Sequence, residues 1–415
     1  MDDDRADVPS QRDEPRLKRS LGLTLAVLYG LGVTIGAGIY VLIAPAAARA
    51  GMHAPFSFIL AALVMAPSAA SFAELGSRLP RAAGEATYVR VGLKSDVLAL
   101  VIGLLVVAVA VISAATVSRG SAGYINVFLD LPFELIVIGV VLCMGAVTAW
   151  GIVESVSFAG VMTLIEIGGL LMIAFVGAAN VPDLAARLPE AWEGLDGTAA
   201  WSGILGAVLL AFFAFTGFEG LANIAEEVKE PSRTLPRAIF LTLALVTLLY
   251  VVVVWVALIA VPHAELATST APLSLVFERA TGASPTVITA ISIVATINGI
   301  VVFMVMGSRV LYGMAAQGLL PEGLGRVNAT TRTPLRATGL VVALTLLLAV
   351  VFPIEGLAEA TARLSLVVFA FVNAALIKMK IDRVPAPPGA FVVPGWVPVA
   401  GLVTSLGLLL SELAR

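Results

Sequence analysis

Three short stretches of an otherwise apolar chain carry residue types able to do chemistry. Glu166 lies in VMTLIEIGGLLMIAF, Gly36, Ala37 and Gly38 lie in VTIGAGIY, and Phe215, Thr216 and Gly217 precede Glu219 in FFAFTGFEG. A glycine inside a helix costs about 1 kcal/mol relative to alanine, and two at i and i+2 make local unwinding cheap. Unwinding frees backbone groups. The N–H groups that open a half-helix suit an anion such as a carboxylate, and free carbonyls accept from an ammonium. Two such breaks together form a receptor for a small zwitterion made from backbone alone. The competing account is close helix packing, which small residues also serve. Two interruptions at similar depth, each in the first span of one half of the chain, favour the binding account.

Other chemistry is poorly provided for. His53 and His263 fall in loops without a metal-ligand partner, and Cys143, the one cysteine, lies in an apolar run, so no intrachain disulfide or cysteine metal cluster can form. Asp183, Glu190, Glu193, Asp196, Glu265 and Glu278 read as solvated loop residues. Neither a nucleophile with its base nor a metal cluster is in sight, which argues against an enzyme and against any cofactor. Asn298, Ser292 and Thr296 in one apolar run read as interhelical packing groups.

The elements that position these residues follow from composition. The 415 residues are 59% hydrophobic and 13% charged, against roughly 25% charge in a soluble domain. Mean hydropathy is +1.01. A hydrocarbon core about 30 Å thick requires apolar helices of roughly 20 residues, because each unpaired backbone group in lipid costs several kcal/mol. About eleven such spans are predicted, at 21–47, 55–76, 96–118, 134–151, 156–179, 203–225, 237–261, 285–316, 336–353, 361–378 and 396–413. The eighth is long enough to require tilt or a projecting end. Lys and Arg favour alternate loops by about three to one, which puts the N-terminus in the cytoplasm and the chain in the cell membrane as a multi-pass protein in contact with lipid. Residues 1–19 are polar and charge-mixed, and read as a disordered cytoplasmic tail. A net charge of −3 without a long basic tract excludes a nucleic-acid partner.

The first span, FAELGSRLPRAAGEATY (72–88), AFTGFEGLANIAEEVKEPSRTLPRAI in and after the sixth span, and SRVLYGMAAQGLLPEGLGRVN in and after the eighth resemble the amino acid–polyamine–organocation superfamily of permeases. The resemblance spans roughly residues 20–378. It implies an all-α integral membrane protein of the LeuT-like 5+5 inverted-repeat transporter fold, with helices 1 and 6 broken, a substrate site between them, and alternating access. The implied core is 20–378, in repeats of about 20–179 and 200–378. Residues 379–415 then supply a cytoplasmic loop and one additional transmembrane helix.

Carried over by position, Ile35, Gly36, Ala37 and Gly38 match the unwound stretch that receives a substrate carboxylate. Phe213, Ala214, Phe215 and Gly217 match the segment whose carbonyls hold the α-amino group. Phe213 takes the aromatic gate position, and Glu219 matches an acidic gating residue. The chain departs from the pattern at Glu166, where many proton-dependent members have a lysine. An ionised carboxylate at that depth costs at least about 2.5–3.5 kcal/mol on insertion scales, so Glu166 is the candidate for ion coupling. Proton carriage, sodium binding and an ion pair with Arg309 all remain open. The small and aromatic lining suits a neutral amino acid, while Glu219 keeps a cationic amino acid or polyamine open.

Overall fold

The computed structural model describes residues 21–80, 84–150, 156–184, 186–225 and 228–413. The expected N-terminal tail therefore lies outside the described residues. The first half of the chain forms α1 (Leu23–Ala50), α2 (Ala54–Arg78), α3 (Gly84–Leu93), α4 (Asp96–Asn126), α5 (Phe133–Trp150) and α6 (Val156–Asn180). Then come α7 (Thr198–Phe215), α8 (Gly220–Asn223), α9 (Pro231–Ala260), α10 (His263–Ala267), α11 (Pro272–Thr281) and α12 (Thr286–Ala316). The chain closes with α13 (Leu335–Val351), α14 (Ile354–Ile381) and α15 (Trp396–Leu413).

Every expected span coincides with one long helix, the sixth continuing from α7 through the break into α8. Among the described residues, eight stretches are long and apolar enough to cross a bilayer outright, and Leu335–Val351 and Trp396–Ser411 are shorter apolar helices. Local chemistry sets several of the ends. Ser95 caps α4 by accepting from the Leu98 N–H at 3.2 Å. Proline opens α9 and α11, where a missing N–H costs nothing, and Gly282 closes α11 at φ +66.

The long helices sort into two groups. α1, α2, α7 and α9 pack on one another, and α4, α5, α12 and α13 do the same. α6 joins the groups through α1, α9 and α12, while α14 lies against α4, α7 and α15. One strap crosses the first group: the Lys229 N–H donates to the Leu21 carbonyl at 2.8 Å, tying the entry to α1 to the segment after α8.

Helix 1 corrects an expectation. α1 is one unbroken helix from Leu23 to Ala50, Gly36, Ala37 and Gly38 included. Two glycines weaken a helix by about 2 kcal/mol in all, less than the cost of stranding its backbone hydrogen bonds in an apolar interior. Their value here is closeness. A Cβ on Gly38 would fall 2.2 Å from the Ala214 Cα, and one on Gly36 would fall 3.0 Å from the Ala295 carbonyl oxygen. The packing account holds for these two residues.

Candidate substrate and ion site

The sixth span does break. α7 ends at Phe215, Thr216 turns extended at φ −61 and ψ 133, and Gly217 takes φ +128 before α8 begins at Gly220. A side chain rarely accepts that φ, and a Cβ there would also meet the Val33 carbonyl oxygen at 2.7 Å. The turn is held by the Thr216 N–H donating to the Phe213 carbonyl at 2.9 Å and by the Gly217 N–H donating to Glu219 Oε2 at 2.8 Å. Glu219 thus braces the break from the α8 side, where it is buried.

Tyr250, in the middle of α9, serves the break from the other side. Its hydroxyl lies 3.0 Å from the Thr34 carbonyl on α1 and 3.0 Å from the Ala214 carbonyl on α7. One hydroxyl proton cannot satisfy both at full strength, so one carbonyl keeps acceptor capacity. The Tyr250 ring packs on Phe215 and Phe58 at centroid distances of 5.2 and 5.9 Å, and Phe58 also approaches Phe215 at 6.4 Å. A second aromatic group joins Phe72, Phe212, Phe218 and Phe369.

Of the expected binding residues, Ile35, Phe213, Ala214 and Phe215 are fully buried, and Gly38 touches Ala214 directly. The two segments expected to receive a substrate are thus in contact through small residues. The side chain of Ala37 lies outside the described residues. Sequence reasoning missed Tyr250 and Phe58. A tyrosine in a long apolar run was the available signal, since a buried hydroxyl has to find a partner.

Glu166 is buried on α6 against α1 and α12. Its Oε1 accepts from Asn298 Nδ2 at 2.7 Å and lies 3.3 Å from where a Cβ on Gly36 would be, while Oε2 has no hydrogen-bond partner. Its carboxylate partner on α12 is therefore Asn298, and no ion pair between it and Arg309 is among the described ones. Tyr40 donates to the Glu166 carbonyl, and Tyr124 donates to that of Tyr40, linking α6, α1 and α4. Asn298 thus makes the interhelical bond expected of it. Ser292 and Thr296 do less, each bonding back to a carbonyl of its own helix.

The ends of the molecule differ. At the Arg- and Lys-rich end, Glu74 on α2 is buried between Arg78, at 2.6 Å, and Lys380 of α14, at 2.8 Å, and accepts from the Val393 N–H at 2.8 Å. Arg78 also donates to the Val384 carbonyl, and the Phe391 N–H donates to Ser77 Oγ, so the 384–393 loop is tied across that end. At the opposite end Arg49 pairs with Glu359, and a cavity of about 350 Å³ reaches α1 at Val41, Ala44 and Pro45 beside Arg119. His53 bonds to the Glu193 carbonyl there and His263 is exposed. Cys143 is exposed on α5, on the outside of the bundle and not buried within it.

Long apolar helices around one broken span, with carboxylates buried beside the break, are the architecture of a multi-pass membrane protein. Residues 21–411 match the family described as amino acid permease, and the chain belongs to that family, within the amino acid–polyamine–organocation superfamily. It is 30% identical to the branched-chain amino acid permease BcaP of Bacillus subtilis, over 96% of this chain and 88% of that one. It is 27% identical to the methylthioribose transporter of the same organism, over 95% and 88%. It is 28% identical to cationic amino acid transporter 4 of Mus musculus, over 90% of this chain and 62% of that one. These relatives are permeases and transporters, not enzymes.

Proposed function

We propose that this permease carries neutral amino acids across the cell membrane by alternating access, coupled to protons, with its N-terminus in the cytoplasm. The observation that carries the proposal is the break at Thr216–Glu219, set against the glycine face of α1 and lined by Phe215, Phe58 and Ala214. Bulky aromatic and small apolar groups there suit an uncharged side chain, in keeping with the similarity to a branched-chain permease.

The helix grouping supports a LeuT-like 5+5 arrangement. Each four-helix group holds two spans together with the spans five places later, α1 with α7 and α2 with α9 in one, α4 with α12 and α5 with α13 in the other. Two such groups can rock about the substrate as rigid bodies. The Glu74 network closes one end while the 350 Å³ cavity lies at the other, and we read the cavity as the entry vestibule. Substrate entry then requires Gly38 and Ala214 to part, which frees backbone at the Gly217 break for the carboxylate and ammonium groups. Glu166 is the ion-coupling group, with Asn298 as its fixed donor.

A second substrate class is favoured by specific residues. Glu85 and Glu219 are both buried next to the break, and acidic groups there suit a cationic amino acid or polyamine. Uptake of labelled leucine, lysine and spermidine into proteoliposomes, each with an imposed proton or sodium gradient, separates these cases. We expect saturable leucine uptake driven by protons, with Glu166→Gln losing the gradient dependence while leucine still competes. Lysine or spermidine uptake without leucine uptake would replace the neutral assignment, and a sodium requirement would replace the proton.

A further inference from the structure

Beside the helix-6 break, a cavity of about 10 Å³ is lined by Glu85 of α3, by Glu219 and by Ser365 of α14, with Val106, Met306 and Phe369 among the apolar side chains that close it. All three polar groups are buried, and the Ser365 hydroxyl has no hydrogen-bond partner. Glu219 commits Oε2 to the Gly217 N–H, and its side chain lines the cavity together with Glu85. A space of this size holds about one water, and a buried water needs two to four polar partners. Three are present.

The chemistry of this donor set is narrow. A hard metal cation takes about six oxygens, more than two carboxylates and one hydroxyl in an apolar wall supply. Two carboxylates that share a dry site cannot both ionise, and they resolve the conflict by sharing a proton.

Among the described residues, the other charges near these elements are paired elsewhere, exposed or outside the cavity lining. On α3, Arg90 pairs with Asp96, and just past its end Lys94 pairs with Asp382; the Tyr88 hydroxyl is buried near Glu85 and unpartnered. On α14, Lys378 pairs with Asp382, Lys380 with Glu74, and both Glu355 and the Arg363–Glu359 pair lie toward the opposite end. On α4, Arg119 reaches Glu134 and the Ala349 carbonyl, also at that end. Beside α8, Arg233 of α9 pairs with Glu230, and Arg237 is exposed. On α12, Arg309 does not line the cavity.

We propose that Glu85, Glu219 and Ser365 form a proton-binding site, in which the two carboxylates share one proton through a single water held by the serine hydroxyl. The site has a direct output. An ionised Glu219 holds the Gly217 N–H more strongly than a protonated one, so proton occupancy sets how firmly the break is braced. Its use in coupling rests on the carrier function proposed above; the site itself does not. Glu85 belongs to α3, outside the spanning helices, and burial together with the facing Glu219 pushes its carboxyl up to about 7. With the value raised, the protonated form is present below that pH and is lost as pH rises through it.

Infrared difference spectroscopy of the full chain in lipid, titrated in pH, reads this proton without requiring transport. We expect a protonated-carboxyl band that disappears as pH rises through about 7 in the wild type. It should be lost in Glu85→Gln and shifted in frequency in Ser365→Ala, a conservative change that tests the site even where the first variant folds poorly. A band unchanged in both variants, or no band titrating in that range, would overturn the site. Because the readout is proton occupancy, that failure is distinguishable from a chain that binds the proton and carries no amino acid.

Discussion

Gly38 and Gly217 serve the site in opposite ways, though both act through a missing side chain. Gly217 supplies a backbone angle that few other residues accept, and so permits the break. Gly38 stays helical and lets α1 approach Ala214 to backbone contact. The difference yields a test against a control on α6. Gly38→Ala puts a Cβ into backbone that cannot rotate away, at a cost of about 1–3 kcal/mol as an overpacked core. Gly168→Ala, with nothing within 4 Å of its Cβ, should gain up to about 1 kcal/mol of helix propensity. Thermal unfolding in detergent should therefore move in opposite directions for the two variants, and a stabilised Gly38→Ala would refute the close contact. Both glycine-bearing interruptions were visible in the sequence. Which of them unwinds was not, because the decision depends on what packs against each. Glu219 and Glu166 were legible as charges inside apolar runs, while Glu85 was not, since it lies in a short mixed segment where a glutamate draws no notice.

At the scale of elements, the long helices could be read from apolar length alone, because lipid imposes that length. The short helices α3, α10 and α11 could not, being too short and too polar to carry the signal. α3 matters most, since it brings Glu85 beneath the break and packs against both α4 and α14. The same end of the molecule is fastened by Glu74, which holds α2, α14 and the 384–393 loop together. Glu74→Gln leaves two cations facing a neutral amide, and removing one partner of a buried pair costs about 3–5 kcal/mol. Lys380→Met leaves Glu74 with Arg78 and the Val393 N–H, and forfeits about 1.5–3 kcal/mol of charged hydrogen bonding. The glutamate variant should therefore unfold at the lower temperature, and the reverse order would show that Lys380, not Glu74, is the centre of the fastening.

At the scale of the whole molecule, two four-helix groups meet at a broken span, with one end fastened by charges and a cavity at the other. Membership of the amino acid permease family was legible from motif stretches spread over most of the chain, because these set the break and the loops that brace it. Substrate and coupling ion were less legible, since a receptor made of backbone carries little side-chain signature. Alternating access makes the sharpest claim, that one site is exposed to each side in turn. Counterflow tests it most directly: vesicles loaded with unlabelled leucine are diluted into trace labelled leucine, with no ion gradient. Alternating access predicts a transient accumulation of label above its equilibrium level, abolished when the vesicles are loaded with buffer alone. Saturable leucine binding without any such overshoot would contradict it, and would make this protein a receptor for amino acids in place of a carrier.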